Sequence, residues 1–513
     1  MKKLPIGIQT FADLITGNYY YVDKTPLIAQ LVETGKYYFL SRPRRFGKSL
    51  LVSTLKSAFA GEQKLFDSLY LEKHWNWSIV YPVINISFGR GVISSVAQLN
   101  RLAHTMFDEV AARYEVVLTH EDIANRFAEL IQKLQAKTQQ PVVVLIDEYD
   151  KPILDNIEKT DIALEIREGL KNIYSVIKDS DAYIKFALLT GVSKFSKVSL
   201  FSGLNNLKDI SLDQRYATLC GYSLPEIQTV FVDKVEGVDF EKLAEWYNGY
   251  NFCGEKIYNP FNVLLYLDSR VFKNYWFETG NTSFLLKVIR EREFYLPDAE
   301  NIIIGEADLS SFDINDFSLE ALLFQTGYLT IEYIEEFGDD YFYHLTYPNR
   351  EVKTSLNRHF LQDLTQSSPS HAAQNHRYLY KALEIGDCEA LKKGLEMLFA
   401  AIPNDWYRKN SMANYEGYYA SIIYSCFYAL GLKVIAEDVT NQGRIDLTVM
   451  LGANLYIIEF KVISDNKTGQ ALAQIKERNY AKKYQNQNKN VFLVGVEFDK
   501  VQRNITQFDW ECL

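Results

Sequence analysis

The sequence predicts an α/β protein: a parallel sheet in residues 1–220, a mostly helical middle, and a small α/β segment at the end. Three observations carry this. Short apolar runs alternate with amphipathic helical runs as far as residue 220, the pattern of strands joined by helical crossovers. Helical periodicity dominates from Leu224 to about Arg292. Beyond residue 411 a helical run leads into two apolar runs joined by a turn.

Taken in order, KYYFLS (36–41), YPVINISF (81–88), PVVVLID (141–147) and YIKFALLT (183–190) read as buried strands. Between them lie the amphipathic stretches 49–60 and 96–114. The helical middle is interrupted by the turn-rich WYNGYNFCGEKIYNP (246–260). FSLEALLFQTG (317–327) then reads as a helix, and 328–347 as a β-hairpin turning near Gly338-Asp339-Asp340, which together suggest a winged-helix-like module. A helical stretch (376–400) leads to the last segment. The expected division is 1–220 for the first α/β core, 221–295 for a helical lid, 296–375 for the winged-helix-like module, 376–410 for a helical connector and 411–513 for the final α/β domain. There are no internal repeats and no low-complexity linker.

A chain of 513 residues exceeds what one hydrophobic core organises, so several domains are expected. Its 47% apolar and 23% charged residues exclude a disordered chain. Cys220, Cys253, Cys388, Cys426 and Cys512 have no paired spacing, which argues against a disulfide framework or a zinc knuckle and fits a reducing, cytoplasmic setting. The opening MKKLPIGIQTFADL has two lysines but no continuous apolar stretch after them, so no secretory signal is expected. No apolar run reaches the roughly 18 residues of a membrane helix. The formal net charge of −10 excludes a global basic field, so a nucleic-acid partner must be met locally. Lys461 to Arg503 carries nine Lys/Arg against four Asp/Glu and is the candidate patch; a solvated helix face would look the same.

The strand KYYFLS runs into Arg42-Pro43-Arg44-Arg45-Phe46-Gly47-Lys48-Ser49 and directly into an apolar helix. Such a strand–loop–helix aims backbone N–H groups and a helix N-terminus at bound phosphates. Gly47 permits close approach, Lys48 reaches the β- and γ-phosphates, and the Ser49 hydroxyl suits Mg²⁺. Arg42 stands where the full phosphate-loop pattern has its first glycine. Arg44 and Arg45 are candidates to touch phosphates or to be solvated, and Phe46 belongs to the same loop. The second element is the apolar run Val142–Ile146 ending in Asp147-Glu148, two acids at the carboxyl edge of a buried strand, where such sheets hold ligands. Asp147 is expected to hold Mg²⁺ through water and Glu148 to polarise the attacking water. Thr190 closes the next strand, either to sense the γ-phosphate or as a strand-end cap. The cofactor expected is ATP with Mg²⁺.

Near the end, Gly443-Arg444-Ile445-Asp446-Leu447-Thr448-Val449-Met450 and Leu455-Tyr456-Ile457-Ile458-Glu459-Phe460-Lys461 flank turn residues at 452–454, and read as an antiparallel hairpin. A turn centred on 453 sets Asp446 opposite position 460, give or take one. Glu459 and Lys461 share a strand face. Two acids within about 5–8 Å suit a hard cation, Mg²⁺ or Mn²⁺. A neighbouring lysine can orient a nucleophilic water or steady charge on a scissile phosphate. Glu416, on the preceding helix, is a further candidate ligand, and Gln474 and Tyr480 sit downstream amid the basic excess. An ordinary half-exposed strand with a Glu–Lys contact is the alternative.

At these residues the chain resembles a bacterial family that pairs an AAA-ATPase-like domain with a PD-(D/E)XK nuclease-superfamily domain. The resemblance runs through GIQTFADL, YYYVDKT, RPRRFGKS, VVVLIDEYDKP, residues 191–212, WYNGYNF, YWFETGNTSFL and FQTGYLTI to GRIDLTV and YIIEFK. It implies a P-loop NTPase sheet followed by a restriction-endonuclease-like domain. In that family an arginine-containing loop is usual, and the superfamily's acid, acid and lysine fall on Asp446, Glu459 and Lys461, with Glu416 as the helical acid. The resulting expectation is an ATPase that gates metal-dependent cleavage of nucleic acid, with DNA favoured over RNA, no membrane partner, and oligomerisation left open. The competing expectation is a nucleotide-dependent signalling or nucleic-acid-binding switch whose terminal domain does not cleave.

Overall fold

The computed structural model describes residues 2–194, 200, 204–276, 283–292, 294–309, 313–314, 317–403, 416–463, 469–487, 489–499 and 504–513. Parts of 191–212, of YWFETGNTSFL and of the basic stretch 461–503 therefore lie outside the described residues. The chain forms two compact units: Met1–Gly280 with Ile302–Arg350, and Asn281–Asn301 with Glu351–Leu513.

The first unit is built on a parallel sheet of β1 (Tyr37–Ser41), β2 (Val83–Ser87), β3 (Val142–Asp147), β4 (Ile184–Gly191) and β5 (Lys208–Asp209), in the order β2-β3-β4-β1-β5. The four long strands match the four apolar runs to within two residues. A run such as Val142–Ile146, entirely unexposed, is what a strand covered on both faces requires. Each such side chain contributes roughly 1.5–3 kcal/mol by burial. Pairing of Leu40 with Thr190 and of Ile146 with Leu189 brings the carboxyl ends of β1, β3 and β4 level. From β1 the chain leaves for the far edge of the sheet and returns through β3 to β4. A ligand crevice opens at that kind of switch point. The crossovers are amphipathic helices, Val96–Arg113, Ile123–Thr138 and Thr160–Asp179; the first two carry side-chain caps from Ser95 and Asp122.

Helices follow at Leu224–Val230, Phe240–Tyr247 and Pro260–Ser269, around a core that includes Phe231, Leu243, Tyr247 and Val263. The helix Leu319–Thr326 leads into β7 (Thr330–Phe337) and β8 (Asp340–Thr346). Phe337 pairs with Asp340, so the turn is the two residues Gly338-Asp339. A strand the periodicity did not reveal, β6 (Ile302–Gly305), pairs with the other edge of β8.

In the second unit, the helical stretch at 376–400 is two helices, Pro369–Ile385 and Cys388–Ala400, separated at Gly386 in the left-handed region (φ 76°). The helix Glu416–Ala429 precedes a five-stranded sheet of β9 (Lys433–Thr440), β10 (Gly443–Leu451), β11 (Asn454–Ile463), β12 (Asn490–Asp499) and β13 (Ile505–Cys512), in the order β13-β12-β11-β10-β9. Only β11 and β12 run parallel, with the helix Gln470–Glu477 crossing between them. No described helix is long and apolar enough to cross a membrane, and the five cysteines form no disulfide.

Candidate functional site

β1 delivers the loop 42–47 to the amino end of the helix Lys48–Phe59. Gly47 caps that helix at φ +91°, and a β-carbon there would meet nothing within 4 Å, so the dihedral alone selects glycine. The Lys48 ammonium donates to the carbonyls of Arg42 (2.8 Å) and Pro43 (3.0 Å). Burial pulls its pKa below the ordinary lysine value, against the opposing charges of Asp147 and Asp150. Ser49 donates to Asp147 Oδ2 at 2.6 Å and Thr190 to Asp147 Oδ1 at 2.7 Å. One carboxylate thus ties β3, β4 and the phosphate-loop helix together. Thr190 is fully buried and holds Asp147 instead of facing the cavity.

Glu148 adopts φ +54°, a left-handed conformation that disfavours a branched chain. The carboxylate lies against Gly89, where an added β-carbon would stand 2.9 Å from Oε2. Burial, then the charge of Asp147, raises its pKa.

The loop arginines differ from one another. Arg42 is wholly buried, donates to the carbonyls of Ser41, Ser211 and Tyr216, and stacks 4.0 Å from the centre of the Phe252 ring. A glycine could make none of these contacts. Arg45 covers the Phe261 ring at 4.0 Å, and Arg44 and Arg45 both border the cavity. Phe46 is buried edge-on against Tyr250 and Phe252, so its side chain belongs to the core and only its backbone is available to a ligand.

A cavity of about 310 Å³ opens over these groups. Lys48, Ser49 and Glu148 border it together with the apolar Ile8, Leu14, Tyr222, Pro260, Phe261 and Leu264. Sequence reasoning missed this apolar wall, because its members come from three distant stretches. Asp150 was missed too. It is fully buried, accepts from the backbone N–H of Val192 (3.0 Å) and Ser193 (2.6 Å), and burial raises its carboxyl to about 6. The sequence signal available was the acid three positions beyond Asp147 in the same DEYD run.

In the second unit, Leu451 pairs with Asn454 across the two-residue turn Gly452-Ala453, and Leu447 with Ile458. Continuing that register sets Asp446 opposite Glu459, one position from 460. Asp446 Oδ2 accepts from the Phe460 N–H at 2.8 Å. Glu459 is 1% exposed, Gln474 donates to its Oε1, and its Oε2 has no hydrogen-bond partner. Lys461 Nζ lies 3.2 Å from Glu416 Oε1 and 3.8 Å from Glu459 Oε1. Burial, then the charge of Asp446, raises the pKa of Glu459, and burial also raises that of Asp446. Burial depresses Lys461, but Glu416, Asp446 and Glu459 outweigh it and hold the ammonium above its usual value. A buried Glu459 with one orphaned oxygen beside a half-buried Asp446 matches the needs of a hard cation. Among the described residues no group of three or more His, Cys, Asp or Glu converges for a metal. Glu416 is turned to Lys461, and the anionic donors on the hairpin are the pair alone.

A family model described as a predicted AAA-ATPase, AAA-ATPase-like, matches residues 5–201, and one described as the PD-(D/E)XK nuclease superfamily matches 414–508. An uncharacterised protein in the vnfD 5′ region of Azotobacter chroococcum mcd 1 is 49% identical over 513 residues, spanning all of this chain and 99% of its own. The chain belongs to the AAA-ATPase-like family with a carboxy-terminal PD-(D/E)XK nuclease-superfamily domain. The first match contains the phosphate loop and the Asp147–Glu148 edge, and the second contains Glu416, Asp446, Glu459 and Lys461.

Within the nuclease-superfamily domain, Gly495 decides how the site is assembled. It pairs with Glu459 in the β11–β12 register, and a β-carbon on it would stand 2.4 Å from the backbone nitrogen of Leu472. The helix Gln470–Glu477 lies that close to the sheet and so brings Gln474 to Glu459. Gly495→Ala should push the helix off and destabilise the domain by at least about 2 kcal/mol, read as a fall in its melting temperature. An unchanged melt would mean the helix is not seated there.

The raised acids give a second expectation. Without metal, Asp446 and Glu459 keep their protons in the folded domain to higher pH than in the unfolded chain, a window that opens at about pH 4, where free carboxyls ionise. Stability of the metal-free protein should therefore fall as pH rises through that window, and Glu459→Gln should flatten the slope. Denaturant titrations at pH 5 and 8 in chelator measure it; an equal slope in the variant refutes the assignment.

Proposed function

We propose that this protein binds and hydrolyses ATP and uses the nucleotide state to gate metal-dependent cleavage of nucleic-acid phosphodiesters, with DNA the favoured substrate. The observation that carries the reading is the pairing of half-buried Asp446 with buried Glu459 beside Lys461, in a chain that also holds the Gly47-Lys48-Ser49 loop and an acidic strand edge.

In the first unit, the backbone of 44–47 and the helix amino end would receive the phosphates, with Lys48 exchanging the carbonyls of Arg42 and Pro43 for β- and γ-phosphate oxygens. Arg44 and Arg45 border the same space. Ser49 and Asp147 would hold Mg²⁺, and the apolar wall from Ile8 to Leu264 suits a purine ring. Glu148 would accept a proton from the attacking water. Glu148→Gln should keep ATP affinity within about threefold while slowing turnover at least about 10²-fold, the scale of a lost general base. Binding by fluorescence titration and phosphate release together test this; unchanged turnover would remove Glu148 from that role.

In the second unit, Asp446 and Glu459 would hold Mg²⁺ or Mn²⁺, which supplies a Lewis acid and an activated water at the scissile phosphate. Lys461 would orient the nucleophile and steady charge on the phosphate, and Gln474 fixes which Glu459 oxygen stays free. The decisive experiment is a cleavage assay on single- and double-stranded DNA and RNA, with Mg²⁺ or Mn²⁺, with and without ATP.

One observation favours the second reading, a nucleotide-dependent switch that grips nucleic acid without cutting it. Glu416 pairs with Lys461 and leaves only two anionic donors on the hairpin. Binding without cleavage under every metal tested would select that reading.

A further inference from the structure

The second unit contains a cavity of about 490 Å³ apart from the acidic hairpin, enclosed by the helices Arg350–Thr365, Pro369–Ile385 and Cys388–Ala400. Its size lies in the range of small-molecule sites, roughly 300–1,000 Å³. Among the described residues, Arg358, His371 and His376 are the cationic or protonatable side chains that line it and no Asp or Glu does, although the chain as a whole carries a net charge of −10.

Arg358 is the telling member. Its guanidinium is half-buried and donates to the carbonyl of Ala429 at 3.1 Å, and among the described residues it has no carboxylate partner. A guanidinium withdrawn from water normally acquires an anion. His376 lines the same cavity as Arg358, and burial, then the Arg358 charge, lowers its pKa. The helix Pro369–Ile385 begins at the cavity wall, where Ser368 caps it and Ser367 and His371 line the space, adding the positive end of a 17-residue helix. Opposite chemistry is also present. Leu361, Leu398 and Met397 offer an apolar surface, while Gln362, Gln374 and Asn375 offer amides. The Asn375 side-chain oxygen is buried without a hydrogen-bond partner.

We propose that this cavity is a binding site for a small organic phosphate, its phosphate on Arg358 and His376 and its body against the amides and the Leu361–Leu398 surface. A guanidinium fork with imidazole donors matches the several acceptor oxygens of a phosphomonoester. The amides recognise a hydrogen-bonding ring, and a nucleoside monophosphate has both parts. The site is separate in chemistry from the phosphate loop, since its described lining has no glycine turn and no metal-binding acid. It reaches the hairpin domain through Arg358, which holds the last residue of the helix whose first residue is Glu416.

Calorimetric titration of the full-length protein with adenosine 5′-monophosphate, and separately with inorganic phosphate, tests it. The ATP cavity is a rival receptor, so each titration is repeated on Lys48→Ala. The expected result is saturable binding that survives Lys48→Ala and weakens at least tenfold in Arg358→Gln, with inorganic phosphate competing at higher concentration. Arg358 also braces Ala429, so its loss could loosen the helix. His376→Gln is therefore the second variant, because His376 makes no hydrogen bond to a described residue and its replacement leaves that brace intact. Weakening in His376→Gln with an unchanged melting temperature supports the site. Binding that follows Lys48 alone, that ignores both Arg358 and His376, or that is absent for both probes at millimolar concentration overturns it.

Discussion

Lys48→Ala should abolish ATP binding, lowering affinity by at least about 10²-fold. The Lys48 ammonium is buried at the head of the phosphate-loop helix, 2.8 and 3.0 Å from two loop carbonyls. Charge-assisted hydrogen bonds contribute roughly 1.5–3 kcal/mol each, and two to phosphate oxygens account for a loss of that size. Alanine also leaves the Arg42 and Pro43 carbonyls without their donor, so the loop itself should relax. Lys48→Arg separates the two effects, because it keeps charge but cannot occupy the same small space. If Lys48→Ala bound ATP as tightly as the parent while melting normally, the cavity would have to be reassigned.

What the sequence could reveal follows the distance over which each feature is determined. The four strands of the first sheet were legible because a strand buried on both faces must be apolar throughout, and Val142–Ile146 is. The Asp446–Glu459 hairpin was legible because a two-residue turn at Gly452 fixes register locally, to within one position. The short β6 carries only four residues, Ile302–Gly305, and its strand character comes from pairing with β8 some forty positions away. The apolar wall of the cavity over Lys48 and Ser49 was illegible for the same reason. Ile8, Tyr222 and Phe261 have no local pattern in common and meet only in the folded chain.

The loop residues show a subtler limit. Spacing places Arg42, Arg44, Arg45 and Phe46 together, but it cannot say which side chains turn inward. Arg42 and Phe46 became core, held by three carbonyls and by Tyr250 and Phe252 respectively, while Arg44 and Arg45 border the cavity. Likewise Thr190 and Glu416 are spent on Asp147 and Lys461, partners that lie 43 and 45 positions away. Candidate residue types were readable, whereas the division between ligand-facing and structural roles is decided by tertiary contacts.

Asp446→Asn should reduce cleavage at least about 10³-fold and weaken Mg²⁺ or Mn²⁺ binding, while ATP turnover stays near the parent value. The substitution removes one of two anionic donors, so the remaining site cannot balance a divalent charge. It also removes the like charge that helps hold Glu459 protonated, so the Glu459 carboxyl should fall toward its ordinary range. Exposure of Glu459 by a structural defect would lower that carboxyl as well, so the variant must also melt at the parent's temperature for the shift to count. Carbon-detected NMR titration of the Glu459 carboxyl in the metal-free parent and variant would record it. Lys461→Ala should lose cleavage comparably yet retain most metal affinity, since the lysine is not a ligand. Gating adds a further demand, because linkage between two sites is reciprocal. Nucleic acid should change ATP affinity, and Lys48→Ala should change the cleavage rate even though Lys48 belongs to the AAA-ATPase-like region. All three variants should therefore be measured on one substrate, with ATP affinity, metal affinity and cleavage rate read together. Cleavage that persists in Asp446→Asn removes the hairpin from the chemistry. Cleavage that vanishes there but ignores both ATP and Lys48→Ala leaves a nuclease tethered to an ATPase, and the gating falls while the site stands.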